Sequence, residues 1–182
     1  MTNTEKAGEL SPDRIDIAYG PHERNVMDLY TAPGSCPHPL LLYIHGGGFM
    51  NGDKLRINRE FFNLCLQRGI SVISISYRLS QHAIYPAPFH DCRHALQHIR
   101  HHATELGINP TRIAGAGSSA GAGMSSWLEF RPDMADPENA DPVLRESTRL
   151  RCLVTTEGQT SYDPRFISRV VGGTAHTHRA LA

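Results

Sequence analysis

No excess of either charge marks this 182-residue chain. Lys and Arg together number 18, and so do Asp and Glu. A balanced sequence has no electrostatic footprint for nucleic acid or for an anionic membrane, and neither is expected as a partner. No apolar run approaches the length of a membrane-spanning helix. Met1 to Leu10 is polar and lacks the apolar stretch of a secretory leader, so residence in the cytoplasm is expected. The four cysteines, Cys36, Cys65, Cys92 and Cys152, lie far apart and form no C-x-x-C pair. They read as reduced thiols, three of them packed on predicted elements. No internal repeat or linker divides the chain. Its length suits one domain over residues 1–182, large enough to bury a core.

What is present is concentrated in two glycine-rich stretches. The first is Gly117-Ser118-Ser119-Ala120-Gly121, a G-x-S-x-G pattern between a predicted strand and a predicted helix. A serine on so sharp a turn sits in a strained backbone. The residues two before and two after it crowd the adjoining chain, so they must be very small. The turn lifts the Ser119 hydroxyl above the sheet. It also sets the Ala120 amide at a helix N-terminus, where negative charge is stabilised. The second stretch is His45-Gly46-Gly47-Gly48-Phe49, which follows the apolar run Leu40–Ile44. Its glycines let backbone N–H groups turn towards one point, as in the other half of an oxyanion hole. A phosphate loop would carry Lys-Ser/Thr after its glycines, whereas Phe49-Met50 follows here. Either motif alone is a weak signal; the pair, each after a strand and in this order, points to a serine hydrolase.

From about Val26 to Phe130 the chain resembles an α/β-hydrolase of the hormone-sensitive-lipase-like esterase type. The resemblance rests on Met27-Asp28-Leu29-Tyr30, on the two glycine stretches and on Ser76-Tyr77-Arg78-Leu79. It extends to Tyr85-Pro86-Ala87-Pro88, Asp91 and Ile108-Asn109-Pro110-Thr111-Arg112-Ile113. Ser118 departs from the pattern, standing where many such esterases carry Asp. The resemblance implies a mostly parallel sheet with helices on both faces, and hydrolysis of carboxylic esters through a Ser119 acyl-enzyme. Gly47, Gly48 and Ala120 would supply the oxyanion-hole amides. No cofactor or metal is implied, and the partner is a small-molecule ester.

The elements follow from periodicity. Ile15–Tyr19 and Val26–Thr31 suit an antiparallel pair of strands. Leu40–Ile44 and Ile70–Tyr77 read as buried strands, with a helix around Phe61–Leu66 that Gly69 stops. A helix is expected from about Phe89 to Leu106, broken by Asn109-Pro110. Arg112–Ala116 is the strand before Ser119, and Ser119 to Phe130 the helix after it, with Trp127 and Phe130 assigned to the core. A short helix is expected within Pro142 to Thr148 and a strand over Leu150–Thr155. Beyond Glu157 the pattern weakens.

His90, His94, His98, His101 and His102 line the side of their helix opposite its apolar face. They read as a solvated polar face rather than a metal site, since no H-E-x-x-H arrangement accompanies them. Asp91 reads as a structural anchor with Arg78 as partner, because the family order places the acid after the serine. A serine needs a histidine base and a carboxylate to orient it. The chain ends 63 residues past Ser119. The late candidates are Glu157 or Asp163 as acid and His176 or His178 as base, the histidines on a tail with no clear supporting strand. The expectation is that the family's C-terminal part is absent and that the chain alone is a weak enzyme or inactive. A non-catalytic remnant or interaction module of the same fold is the alternative. Self-association through the exposed edge of the last strand is expected with either.

Overall fold

The computed structural model describes residues 10–159 and 161–171. Six strands form one sheet in the order β1-β2-β4-β3-β5-β6. They are β1 (Arg14–Ala18), β2 (Val26–Tyr30), β3 (His38–Ile44), β4 (Ser71–Ile75), β5 (Ile108–Ser118) and β6 (Leu153–Thr156). The expected antiparallel start is there: β1 pairs with β2, and β2 runs antiparallel to β4. From β4 across to β6 every pairing is parallel. The helices are α1 (Arg59–Gln67), α2 (Ala87–His101), α3 (Ala103–Leu106), α4 (Ala120–Phe130) and α5 (Pro164–Val171).

The continuous apolar run of β3 is explained by burial on both faces. Leu40, Leu42 and Ile44 join one core with Ile73, Ile75, Leu96 and Met124. The alternate residues Leu41 and Tyr43 join a second core with Phe62, Cys65 and Val72 under α1. Asn58 caps α1 by accepting the Phe61 N–H at 2.9 Å. Gly69 takes φ +72° just past the helix end, a conformation that favours glycine. No helix among the described residues is long and apolar enough to cross a membrane.

Several sequence expectations are corrected. The helix expected over Phe89–Leu106 starts at Ala87 and divides at His102. It ends on Gly107 in the left-handed conformation, before Asn109-Pro110 is reached. Those two residues lie in β5. The helix within Pro142–Thr148 is a single 3-10 turn, Pro142–Arg145, opened by the Asp141 side chain accepting from the Val143 N–H. Phe130 is 80% exposed rather than in the core, whereas Trp127 is half-buried and packs against the core as expected. Cys152 is exposed, leaving Cys65 and Cys92 as the buried thiols. The weak pattern after Glu157 conceals α5. The last strand is shorter than expected and borders β5 alone among the described residues.

The segment between α4 and β6 is tied back to α2. Gln97 Nε2 donates to the Leu144 and Glu146 carbonyls at 3.0 and 2.8 Å. Arg100 donates to the carbonyls of Ser147 and Arg149. These bonds position β6, and therefore the residues that follow it, beside the end of β5.

Candidate active site

Parallel pairing of β3 and β5 places Ile44 beside Gly117. The two glycine-rich turns therefore leave the same end of the sheet from neighbouring strands. They interlock where side chains are missing. A Cβ on Gly46 would come 2.8 Å from the Ser118 carbonyl oxygen and 3.3 Å from Ser119 Cβ. A Cβ on Gly121 would strike the carbonyl oxygens of Ile44 and His45. One on Gly117 would sit 2.5 Å from the Gly121 carbonyl carbon. The G-x-S-x-G spacing is thus a requirement of close backbone approach.

Ser119 itself has φ +52° and ψ −118°, which is strained for a residue with a Cβ. The turn is held from outside: Ser119 N–H donates to the Thr156 carbonyl at 3.0 Å, and Gly123 N–H donates to the Ser119 carbonyl at 3.1 Å. Ala120 is the first residue of α4 and is fully buried. Ser118 points to the other side, its hydroxyl 3.4 Å from a Glu157 carboxylate oxygen.

The glycine loop takes its shape from positive φ. Gly47 has φ +134°, Gly48 +59° and Phe49 +62°. The N–H groups of Met50 and Asn51 both donate to the Gly47 carbonyl, closing the turn. Among the described residues, the N–H groups of Gly47, Gly48 and Ala120 meet no hydrogen-bond acceptor. His45 anchors the loop from below. Its ring is buried and stacked on Tyr77, with centroids 4.3 Å apart. Its Nδ1 lies 2.7 Å from the Gly46 carbonyl, and the Tyr77 hydroxyl donates to the His45 carbonyl at 2.9 Å. Burial lowers the His45 pKa to about 4, so the ring is neutral at pH 7.

The remaining candidates are dispersed. Asp91 is buried and accepts from Arg78 through the backbone N–H, Nε and Nη2, the last at 2.6 Å. That is the anchoring role and partner expected from the sequence. Asp163 lies before α5, where it accepts from the Arg165 backbone and guanidinium. This is a helix-capping arrangement. Glu157 follows β6 in the left-handed conformation, φ +55°, beside Ser118. His176 and His178 lie outside the described residues. No described histidine hydrogen-bonds to Ser119. The histidine stripe is solvated in part: His90 and His101 are exposed, whereas His94, His98 and His102 are half-buried. His94 lies near Tyr19, and His98 and His102 approach to 4.3 Å. No group of three or more metal-binding side chains is assembled among the described residues.

An open cleft of about 470 Å³ begins one turn of α4 beyond Ser119, lined by Tyr85, Phe89, Gly123, Trp127, Phe130 and Tyr162. A second, of about 550 Å³, lies beside Ser118 and includes Tyr43, Arg56, Phe61 and Glu157. The aromatic cleft was not expected from the sequence: Trp127 packs on the core as expected and also lines the cleft, while Phe130, expected in the core, is exposed. Helical spacing gives their face but not what covers it.

A family model described as BD-FAE matches residues 27–156. The chain is 36% identical over 134 residues to Carboxylesterase NlhH of Mycobacterium tuberculosis, covering 73% of this chain and 42% of that protein. It is 33% identical over 128 residues to Esterase LipI of the same organism, covering 68% and 39%. It therefore spans about two fifths of the length of these relatives. An acetyl ester-xyloside bifunctional hydrolase from Caldicellulosiruptor lactoaceticus superposes with a TM-score of 0.75 at 26% identity, covering 96% of this chain and 65% of that one.

Proposed function

The chain belongs to the BD-FAE family of α/β-hydrolase esterases, and from that premise we propose that it hydrolyses carboxylic esters through Ser119. One observation carries the reading: the strained Ser119 turn and the glycine loop interlock at one end of the sheet. Ser119 Oγ attacks the ester carbonyl carbon and gives its proton to a base. The tetrahedral oxyanion is met by the amides of Gly47, Gly48 and Ala120, with the N-terminus of α4 adding its field. Collapse expels the alcohol and leaves an acyl-Ser119, which water then cleaves to the acid. Glu157 or Asp163 with His176 or His178 are the in-chain candidates for acid and base. Asp163 is the weaker candidate of the two, its carboxylate being engaged by Arg165.

The alternative, a non-catalytic module of the same fold, is favoured by one observation: no described histidine bonds to Ser119. Hydrolysis of a short-chain p-nitrophenyl ester separates the two. We expect slow turnover that Ser119→Ala abolishes. Turnover that Ser119→Ala leaves unchanged would remove Ser119 from the chemistry.

The edge of β6 is the proposed route to self-association. Val154 there is 48% exposed, and unpaired strand edges template pairing with another chain. Light scattering coupled to size exclusion should show dimers or larger species; a clean monomer at all concentrations would reject this.

A further inference from the structure

We propose that a cavity between the β1–β2 turn and the first turns of α2 binds a small oxyanion, a phosphate or carboxylate group, through Arg93 with His22 and His90. The cavity measures about 220 Å³. This is below the roughly 300–1,000 Å³ of sites for drug-sized ligands and suits a compact group. It lies apart from both clefts that flank Ser119.

Its charges do not cancel. Arg78 and Arg93 face one carboxylate, Asp91. That carboxylate is already saturated by Arg78, which reaches it with the backbone N–H, Nε and Nη2. Arg93 is left as the uncompensated cation. Its Nε is buried and meets no hydrogen-bond acceptor among the described residues. A buried guanidinium N–H without an acceptor is costly, and oxyanions match its geometry.

The imidazoles around it are held in place. The β1–β2 turn is closed by Tyr19 N–H donating to the Asn25 carbonyl and by His22 N–H donating to Asn25 Oδ1. Arg24 N–H donates to His22 Nδ1 at 3.1 Å, which leaves His22 Nε2–H as the nitrogen that can donate into the cavity. His94 is held by the Tyr19 carbonyl, and its charged form is disfavoured by partial burial. His90 is disfavoured likewise, by partial burial and then by the Arg93 charge. Asp141 acts on His94 and Arg131 on His90 from the neighbouring segments. The site thus offers the Arg93 guanidinium with imidazole N–H groups of His22 and His90, and no carboxylate is left unpaired in its lining.

Titration of the whole chain with sodium phosphate and with sodium acetate tests this, followed by the Arg93 Nε–H resonance against sodium chloride of equal ionic strength. We expect a saturable shift of that resonance with at least one of the two oxyanions. Arg93→Gln should weaken binding about tenfold or more, while Arg59→Gln on exposed α1 should leave it unchanged. Ser119→Ala should bind as the parent does, so failure here and failure of the esterase reading are distinguishable. A non-saturating response equal to that of chloride, or an unmoved Arg93 resonance, would overturn the proposal whether or not the Arg93 variant folds.

Discussion

The two glycine-rich turns meet at one end of the sheet, yet they differ in which residues carry the unusual backbone conformation. In the turn around Ser119 the glycines provide space. Gly117 and Gly121 have no positive φ, but a Cβ on either would enter neighbouring backbone. The strained conformation falls on Ser119 instead. In the loop after β3 the positive φ falls on the glycines themselves, +134° at Gly47 and +59° at Gly48, and a Cβ on Gly47 would also strike the Asn51 carbonyl. The first turn is thereby rigid around a strained nucleophile. The second is a curved run of amides. Stabilising a developing oxyanion needs fixed donors beside a fixed attacking atom, and the pair divides that work.

The largest effect is expected where a Cβ meets backbone that cannot move. Gly121→Ala should lower unfolding stability by the upper end of the roughly 1–3 kcal/mol typical of overpacking, or more. A urea midpoint within experimental error of the parent would break the comparison. Gly47→Val should lower both stability and turnover, because its Cβ would strike the Asn51 carbonyl beside the amides of the loop. Loss of one oxyanion donor costs about 2.7–4 kcal/mol of transition-state stabilisation, so kcat should fall at least about a hundredfold wherever ester turnover is measurable.

His45 gives a pH signature. Its folded pKa, about 4, lies below the unfolded value of 6.5, so the unfolded state binds the extra proton between them. Stability is therefore full above pH 6.5 and lost as pH falls towards 4, by roughly 3 kcal/mol at most. His98, also lowered to about 4 by burial and the neighbouring histidines, adds in the same direction. His45→Asn should flatten the acid limb of a stability–pH profile measured by denaturant titration. An unchanged slope would mean that His45 is not buried as described.

The smallest effects separate strain from space. Gly69 has φ +72° with open space around it, so Gly69→Ala should cost about 1 kcal/mol from conformation alone. Ser119→Gly should do the opposite. Relief of backbone strain, about 1–3 kcal/mol, less the entropy of a glycine, about 0.4–1 kcal/mol, leaves a gain near 1 kcal/mol. Thermal unfolding of both variants checks the signs.

The two turns were legible in the sequence because close backbone approach and positive φ both write glycine into the chain. The buried strands were legible because both faces of β3 and β4 are covered, which leaves an unbroken apolar run. Phe130 was misread because periodicity gives a face of α4 and not its partner, while Trp127, one turn earlier, does pack on the core. α5 was missed because Pro164 and the residues around it read as breakers, although proline is well suited to a first helical turn. The contacts of Ser118 with Glu157, and the orphaned Nε of Arg93, depend on segments far apart in sequence and left no local mark.

The central claim is that Ser119, and not its neighbour, is the reactive serine. Prolonged treatment with an excess of a fluorophosphonate, followed by mass mapping of the labelled peptide, tests it most directly. Label should lie on Ser119, vanish in Ser119→Ala and persist in Ser118→Ala. Label on Ser118, or spread evenly over the serines of the chain, would contradict the account.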